Sequence, residues 1–293
     1  MRPSFLWVED ALTDEERHGR SEVASAPMSS VVFFHAHPDD EAIATGGTMA
    51  GLASEGHRVV LVTATGGELG EIPAGLLGEG ESLADRRAVE LAEAGRLLGV
   101  SRQTFLGYID SGMADEPTNQ DVGCFAAADV EEAARRLAKI LEEEQAEVLV
   151  IYDEHGGYGH PDHVQVHTVG IRAGELADTP RVFMATQDRD FFLSLMDQAG
   201  EAEWSPPEEA TEGLKTMGEP ASRITTEVDV TRWIEAKRAA MRAHASQITE
   251  ESFFLAMPDD LFEVVWGHEW YIRIRPVAPD PHTGRRETSL LNG

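Results

Sequence analysis

Val31-Val32-Phe33-Phe34-His35-Ala36-His37-Pro38-Asp39-Asp40-Glu41 decides the fold, because a short apolar run hands over directly to a polar loop. Four consecutive β-branched or aromatic residues read as a strand buried on both faces, as in a parallel sheet. The loop at His37–Asp40 leads into a helical stretch to about Glu55, with Gly56 as its stop signal. The same grammar then recurs. Arg58–Ala64 is a second strand, and Ser82 caps a helix over Leu83–Leu98 that ends at Gly99. Gln103–Gly107 is a short strand, and Asp129 caps a helix over Val130–Glu144. Glu147–Tyr152 is another buried strand; after the loop Asp153–Gly159, Pro161 opens a helix to about Leu176. Arg181–Ala185 follows as a strand. Alternating strands and helices predict an α/β, Rossmann-like fold: a mostly parallel sheet with helices on both faces. Right-handed crossovers put the strand-to-helix loops on one edge, beyond the strands' carboxyl ends, where such folds bind ligands.

The metal-binding α/β core is therefore read as residues 30–187. Residues 1–29 precede it as a loosely ordered extension, with at most a short helix near Asp10–His18. Residues 188–222, rich in Glu, Pro and Gly after Asp197, read as a lid or insertion. Residues 223–276 form a smaller C-terminal subregion of the same domain, with a strand at Ile224–Val230, a helix at Trp233–Gln247 and a last strand at Trp270–Arg275. Residues 277–293 read as a loose tail.

At 293 residues, 42% of them hydrophobic, the chain can bury a substantial core. Its 24 Lys and Arg against 53 Asp and Glu give a formal net charge of -29. That balance excludes nucleic acid and anionic membrane as expected partners, since phosphate binding needs a basic surface. The one cysteine, Cys124, allows no intrachain disulfide and fits a reducing compartment. The acidic start does not read as a secretory signal, and no stretch is long and apolar enough for a membrane span. The expected location is the cytoplasm and the expected partner a small molecule, with the oligomeric state left open.

Two clusters carry the chemistry: His35–Glu41, and His155-Gly156-Gly157-Tyr158-Gly159-His160-Pro161-Asp162-His163. Each directly follows an apolar strand. A hydrolytic zinc site needs about three protein ligands and an open position. His37 and Asp40, three apart across a strand-to-helix turn, can converge on one ion, with His163 as the third ligand. The same donors also suit Fe2+ or another divalent metal. Asp39 is then the spare carboxylate, able to act as general base toward a water acidified by the cation. His160 is the spare histidine, placed to stabilise an oxyanion or to protonate a leaving amine, with Asp162 as the group that orients it. His35, on the same strand face as His37, reads equally as a supporting partner or a buried residue. Gly66-Gly67 reads as backbone room near the site, and His244 as a residue near the substrate pocket.

The first cluster resembles the Ala-His-Pro-Asp-Asp-Glu signature of the LmbE-like, or PIG-L, zinc deacetylases. The second resembles their Gly-Gly-Tyr-Gly-His-Pro-Asp-His motif, unbroken here. The likeness runs from about Val31 to Arg172 and resumes near Arg238–Phe254. It is closest in look to the actinobacterial mycothiol-type enzymes, the N-acetylglucosaminyl-inositol deacetylase and the mycothiol S-conjugate amidase. The resemblance implies Zn2+ on His37, Asp40 and His163, Asp39 as base, and His160 as acid or oxyanion partner. It further implies that Tyr158 polarises the amide carbonyl and that Arg87 and Asp110 bind substrate. The expected reaction is removal of an N-acetyl group from a glucosamine-containing small molecule. Cleavage of mycothiol S-conjugates is the alternative. A non-catalytic sugar-binding protein and an iron-dependent oxygenase are the rivals from other classes.

Overall fold

The computed structural model describes residues 28–198, 213, 215–277 and 285–291. The reading of residues 1–29 as an extension thus falls almost wholly outside the described residues. Seven strands form one sheet: β1 (Ser30–His35), β2 (Arg58–Thr65), β3 (Arg102–Tyr108), β4 (Val148–Tyr152), β5 (Arg181–Thr186), β6 (Thr226–Asp229) and β7 (His268–Arg275). Their order is β3-β2-β1-β4-β5-β7-β6. The first five run parallel, and β7 is antiparallel to both β5 and β6. The expected Rossmann-like, mostly parallel sheet is what forms.

Burial explains the strands. Every residue of β1 and of β4 is buried, as their unbroken apolar runs demand. Val31 pairs with Val59 on one side and Val148 on the other. Each such fully buried Val, Leu or Phe contributes about 1.5–3 kcal/mol. The chain leaves β1 toward β2 and β3, then returns to add β4 on β1's other side. That reversal opens a crevice beyond the carboxyl ends of β1 and β4. Both histidine-rich loops begin there.

The helices are α1 (Asp40–Ala44), α2 (Gly46–Ser54), α3 (Leu83–Leu98), α4 (Val130–Glu143), the turn α5 (Gly156–Gly159), α6 (Pro161–Leu176), α7 (Arg189–Gln198), α8 (Ile234–Ala243) and α9 (Asp259–Trp266). Ser82 and Asp85 form a capping box on α3, and Gly99 ends it at φ 74°. The Asp129 side chain accepts from Glu132 N at 2.8 Å at the start of α4.

Four expectations change. The single helix to Glu55 is two, broken at Thr45 (φ -139°), whose hydroxyl bonds to His35 instead of facing solvent. The segment expected as a lid opens with α7, and Phe192 of that helix packs into the core beside Trp270. Its far end is tied back by a bridge between Asp188 and Glu219. Helix α9, with Pro258 at its cap, was not anticipated. The tail is not loose where described: Glu287 bridges Thr226, and Leu290 is buried.

Candidate active site

His37 leaves the end of β1, Asp40 opens α1, and His160, Asp162 and His163 stand at the start of α6. Pro161 needs no amide partner at that first helical position, and the His160 ring caps the helix by accepting from Asp162 N at 3.1 Å. The two loops, more than a hundred residues apart, meet at Asp40. Its Oδ2 lies 3.5 Å from His37 Nδ1 and its Oδ1 3.3 Å from His163 Nε2.

The partners of each ring fix its tautomer. His163 Nδ1 faces the carbonyl of Gly156 at 3.2 Å, so it carries the proton and Nε2 offers a lone pair. That Nε2 is buried and makes no hydrogen bond. His37 Nε2 faces Asp162 Oδ2 at 3.1 Å, which leaves its Nδ1 lone pair toward Asp40. His160 is the reverse: its Nδ1 accepts from Asp162 N, so its Nε2 presents an N–H. Burial, aided by His37 and His163, lowers its pKa to about 4 and keeps the ring neutral. The ring nitrogens of His37, His160 and His163 fall within 4.8 Å of one another. Two lone pairs and one carboxylate converge, beside a third ring that donates. Burial opposes charge on His37, yet Asp110, Asp162 and Asp40 outweigh it and raise its pKa, so without a cation the ring favours a second proton on Nδ1, the one a bound metal would displace. Such a concentration of buried acid around the grouped nitrogens of His37, His160 and His163 suits a cation.

Asp39 sits at φ 112°, a region costly for a residue with a side chain. Its neighbours hold it there. Glu41 accepts the Asp39 N–H at 3.0 Å, and Arg87 Nη2 lies 3.1 Å from Asp39 Oδ1. Burial raises the Asp39 pKa to about 6, against the pull of Arg87 and with help from Asp40. Two glycines make room. A Cβ on Gly67 (φ 66°) would fall 2.3 Å from Arg87 Nη1, which bears out the reading of Gly66-Gly67 as space near the site. A Cβ on Gly156 (φ 62°) would fall 2.6 Å from His163 Cβ.

Some expected roles are corrected. The Asp162 carboxylate bonds to His37, Ser111 N at 3.0 Å and Ser111 Oγ; it orients His37 and not His160. Arg87 is buried and spends its guanidinium on Asp39 and on the carbonyls of Gly67 and Pro38, leaving little for a substrate. His244 is fully buried, its Nε2 2.6 Å from Glu41 Oε1, so it supports the Asp39 loop from behind. Asp110 is in the cluster: its Oδ1 is 3.6 Å from His37 Nε2, and it accepts from Gly112 N and Leu69 N. Tyr158 is 56% exposed, with its ring 4.9 Å from that of His163. Partial burial and the carboxylates of Asp40, Asp39 and Asp110 push its hydroxyl pKa up, so it stays a donor.

Sequence reasoning missed Ser111, although it directly follows Asp110. It also missed Tyr152, whose hydroxyl is 2.6 Å from His35 Nδ1. His35 is thus a buried supporting residue, bonded to Tyr152 and to Thr45.

A family profile described as "PIG-L: GlcNAc-PI de-N-acetylase" matches residues 32–174. The 1D-myo-inositol 2-acetamido-2-deoxy-alpha-D-glucopyranoside deacetylase of Nocardiopsis dassonvillei is 42% identical over 282 residues, covering 88% of this chain and 99% of its own. The chain belongs to the PIG-L family. A relative of the same name from Thermomonospora curvata is 40% identical, covering 90% of this chain and 96% of its own. The N,N'-diacetylchitobiose deacetylase structure from Pyrococcus horikoshii superposes with a TM-score of 0.51 at 22% identity, over 95% of this chain and 98% of that one. At that identity it speaks to the shared PIG-L fold. The profile spans His37, Asp39, Asp40, Arg87, Asp110, Tyr158, His160, Asp162 and His163, and leaves His244 outside. Among the described residues no helix is long and apolar enough to cross a membrane.

Proposed function

We propose that this PIG-L protein is a zinc-dependent de-N-acetylase acting on 1D-myo-inositol 2-acetamido-2-deoxy-α-D-glucopyranoside, releasing acetate and the free amino sugar. The observation that carries the reading is which partner each ring nitrogen of His37, His160 and His163 faces. His37 Nδ1 and His163 Nε2 both face Asp40, the three groups that would hold the cation, while His160, its Nδ1 accepting from Asp162 N, offers an Nε2–H beside them. Three donors with an open fourth position suit zinc, and a bound divalent cation acidifies a water and polarises a carbonyl. Asp39, with its pKa near 6, takes the proton of the attacking water and passes it on. His160 Nε2–H and the Tyr158 hydroxyl donate to the oxygen that becomes negative as the water adds. The C–N bond then breaks and the amine leaves with the proton that Asp39 carried. Arg87 keeps Asp39 aimed, and Asp162 keeps His37 turned so that its lone pair faces inward.

The test is side-by-side turnover of the N-acetylglucosaminyl-inositol and a mycothiol S-conjugate, with metal analysis of the freshly purified protein. Acetate release from the first, with about one zinc per chain, is the expected result. Preference for the S-conjugate would reassign the protein as an amidase. No release from either by metal-replete protein would overturn the hydrolase reading.

A further inference from the structure

Asp39 occupies the N-cap position of α1 at φ 112°, yet its carboxylate makes no capping bond, so helix formation does not account for its conformation. Strain of this kind, about 1–3 kcal/mol, persists only where the surroundings over-determine it. Two contacts hold the residue: Glu41 Oε2 takes its N–H at 3.0 Å, and Arg87 Nη2 lies 3.1 Å from its Oδ1. Both contacts trace back to one turn, His244-Ala245-Ser246-Gln247, which follows α8 and stands outside the family profile. His244 Nε2 lies 2.6 Å from Glu41 Oε1, so the carboxylate that fixes the Asp39 amide is itself fixed by this ring. Ser246 donates from its N at 3.0 Å and its Oγ at 2.6 Å to the two oxygens of Glu90, three residues beyond Arg87 on α3. Gln247 reaches the same place from the loop side. A Cβ on Gly70 would fall 2.5 Å from Gln247 Oε1 and 2.9 Å from Arg87 Nη1, and Gln247 Nε2 donates to the Glu71 carbonyl at 3.1 Å.

His244 and Ser246 are buried, too closed in to meet a substrate themselves. Helix α1 has five residues, too few to hold its own entry loop rigidly. A base acts only within hydrogen-bond reach of the proton it takes, and a displacement of about 1 Å can cost about 100-fold in rate. We propose that the His244–Gln247 turn is a positioning element for the general base: it holds Asp39 at its strained angle through Glu41 and aims the Asp39 carboxylate through α3 and Arg87. The inference rests on the hydrolase reading above. It gives the C-terminal subregion a part in the reaction, although none of the turn's side chains touches the reacting atoms.

The experiment is a double-mutant cycle on the metal-replete full chain, with the N-acetyl amino sugar as substrate. Ser246→Ala should lower kcat about tenfold while KM and zinc content stay as in wild type. In the Asp39→Ala background the same substitution should cost less than about twofold, because the group it positions is gone. Equal losses in the two backgrounds would overturn the proposal, since a general loosening of the fold acts without Asp39. A raised KM with kcat intact would do so too. Glu41→Gln keeps an oxygen for the Asp39 N–H and should retain about tenfold more kcat than Glu41→Ala; equal values would count against the clamp. Crystal structures of His244→Ala and Ser246→Ala supply a readout free of turnover. Asp39 should leave φ 112° in the first, and its contact with Arg87 should break in the second. Asp39 and Arg87 unmoved in both would sink the idea. If wild type hydrolyses no amide, the hydrolase reading fails, and the two crystal structures still decide whether the turn holds Asp39.

Discussion

Replacing Asp162 with Asn separates the role the structure gives this residue from the role its position suggests. The wild-type carboxylate only accepts hydrogen bonds. It takes one from His37 Nε2 at 3.1 Å, one from Ser111 N at 3.0 Å, and one from Ser111 Oγ. Asn keeps the shape but has one accepting oxygen and one NH2 group. If its oxygen stays with Ser111 Oγ, its NH2 takes the place of the oxygen shared by His37 Nε2 and Ser111 N. His37 Nε2 must then accept, and the His37 proton moves to Nδ1, the atom that should bind metal. If instead its oxygen turns to His37 and with it to Ser111 N, the NH2 faces Ser111 Oγ, whose own hydroxyl proton loses its acceptor in a site with no exposure for Asp162. Either arrangement leaves a buried polar group unsatisfied, at about 1–3 kcal/mol. Zinc affinity should therefore fall by about 10–100-fold, the range for losing a group that orients a ligand histidine. Competition with a chromophoric chelator measures it, with turnover followed at saturating zinc. Most activity should return at high zinc. Unchanged affinity with activity still lost would refute the argument, because Asp162 would then act on His160 or on the substrate.

Asp39→Ala should retain zinc in metal analysis yet lose about 10²–10⁴-fold in kcat, the usual worth of a positioned base. Gly156→Ala should weaken zinc binding in the same competition assay, since the new methyl lands 2.6 Å from His163 Cβ and the backbone is already at φ 62°. His244→Gln should destabilise the fold by about 3 kcal/mol at pH 6, as judged by urea unfolding, because it leaves the buried Glu41 charge with the Asp39 N–H but without its cationic partner. Burial by itself would lower the His244 pKa, but Glu41, joined by Asp39 and Glu90, raises it. A raised folded pKa gives stability that is fully present below about pH 6.5 and is lost as pH climbs through the folded value. The gap between wild type and variant should accordingly narrow toward alkaline pH; a gap that widens would rule out a charged His244.

What was legible in the sequence is what local chemistry encodes. The runs Val31–Phe34 and Val148–Tyr152 announce buried parallel strands, and both are buried throughout. Ser82, Gly99, Asp129 and Pro161 mark helix ends through bonds made within a few residues. Where a partner lies far along the chain, local reading runs out. Thr45 breaks a helix because His35 claims its hydroxyl, and His244 leaves the substrate pocket because Glu41, 203 residues away, holds it inside. Helix α9 escaped despite a start at Pro258-Asp259-Asp260, since eight residues show little periodicity.

The same division runs through the three site histidines. The motifs name His37, His160 and His163 as candidates but are silent on where each proton sits. His163 takes its tautomer from Gly156 O, seven residues back; His160 from the amide of Asp162; His37 from a carboxylate 125 residues away. Ligand and proton donor are thus one side-chain type, told apart by a single hydrogen-bond partner. Asp162 joins two of these rings, its carboxylate fixing His37 as a ligand and its amide fixing His160 as a donor. A one-residue slip of α6 against β1 would misassign both roles at once. The rigid packing of α6 on β4, with Gly170 lying against Ile151, therefore belongs to the site's chemistry as much as to the fold.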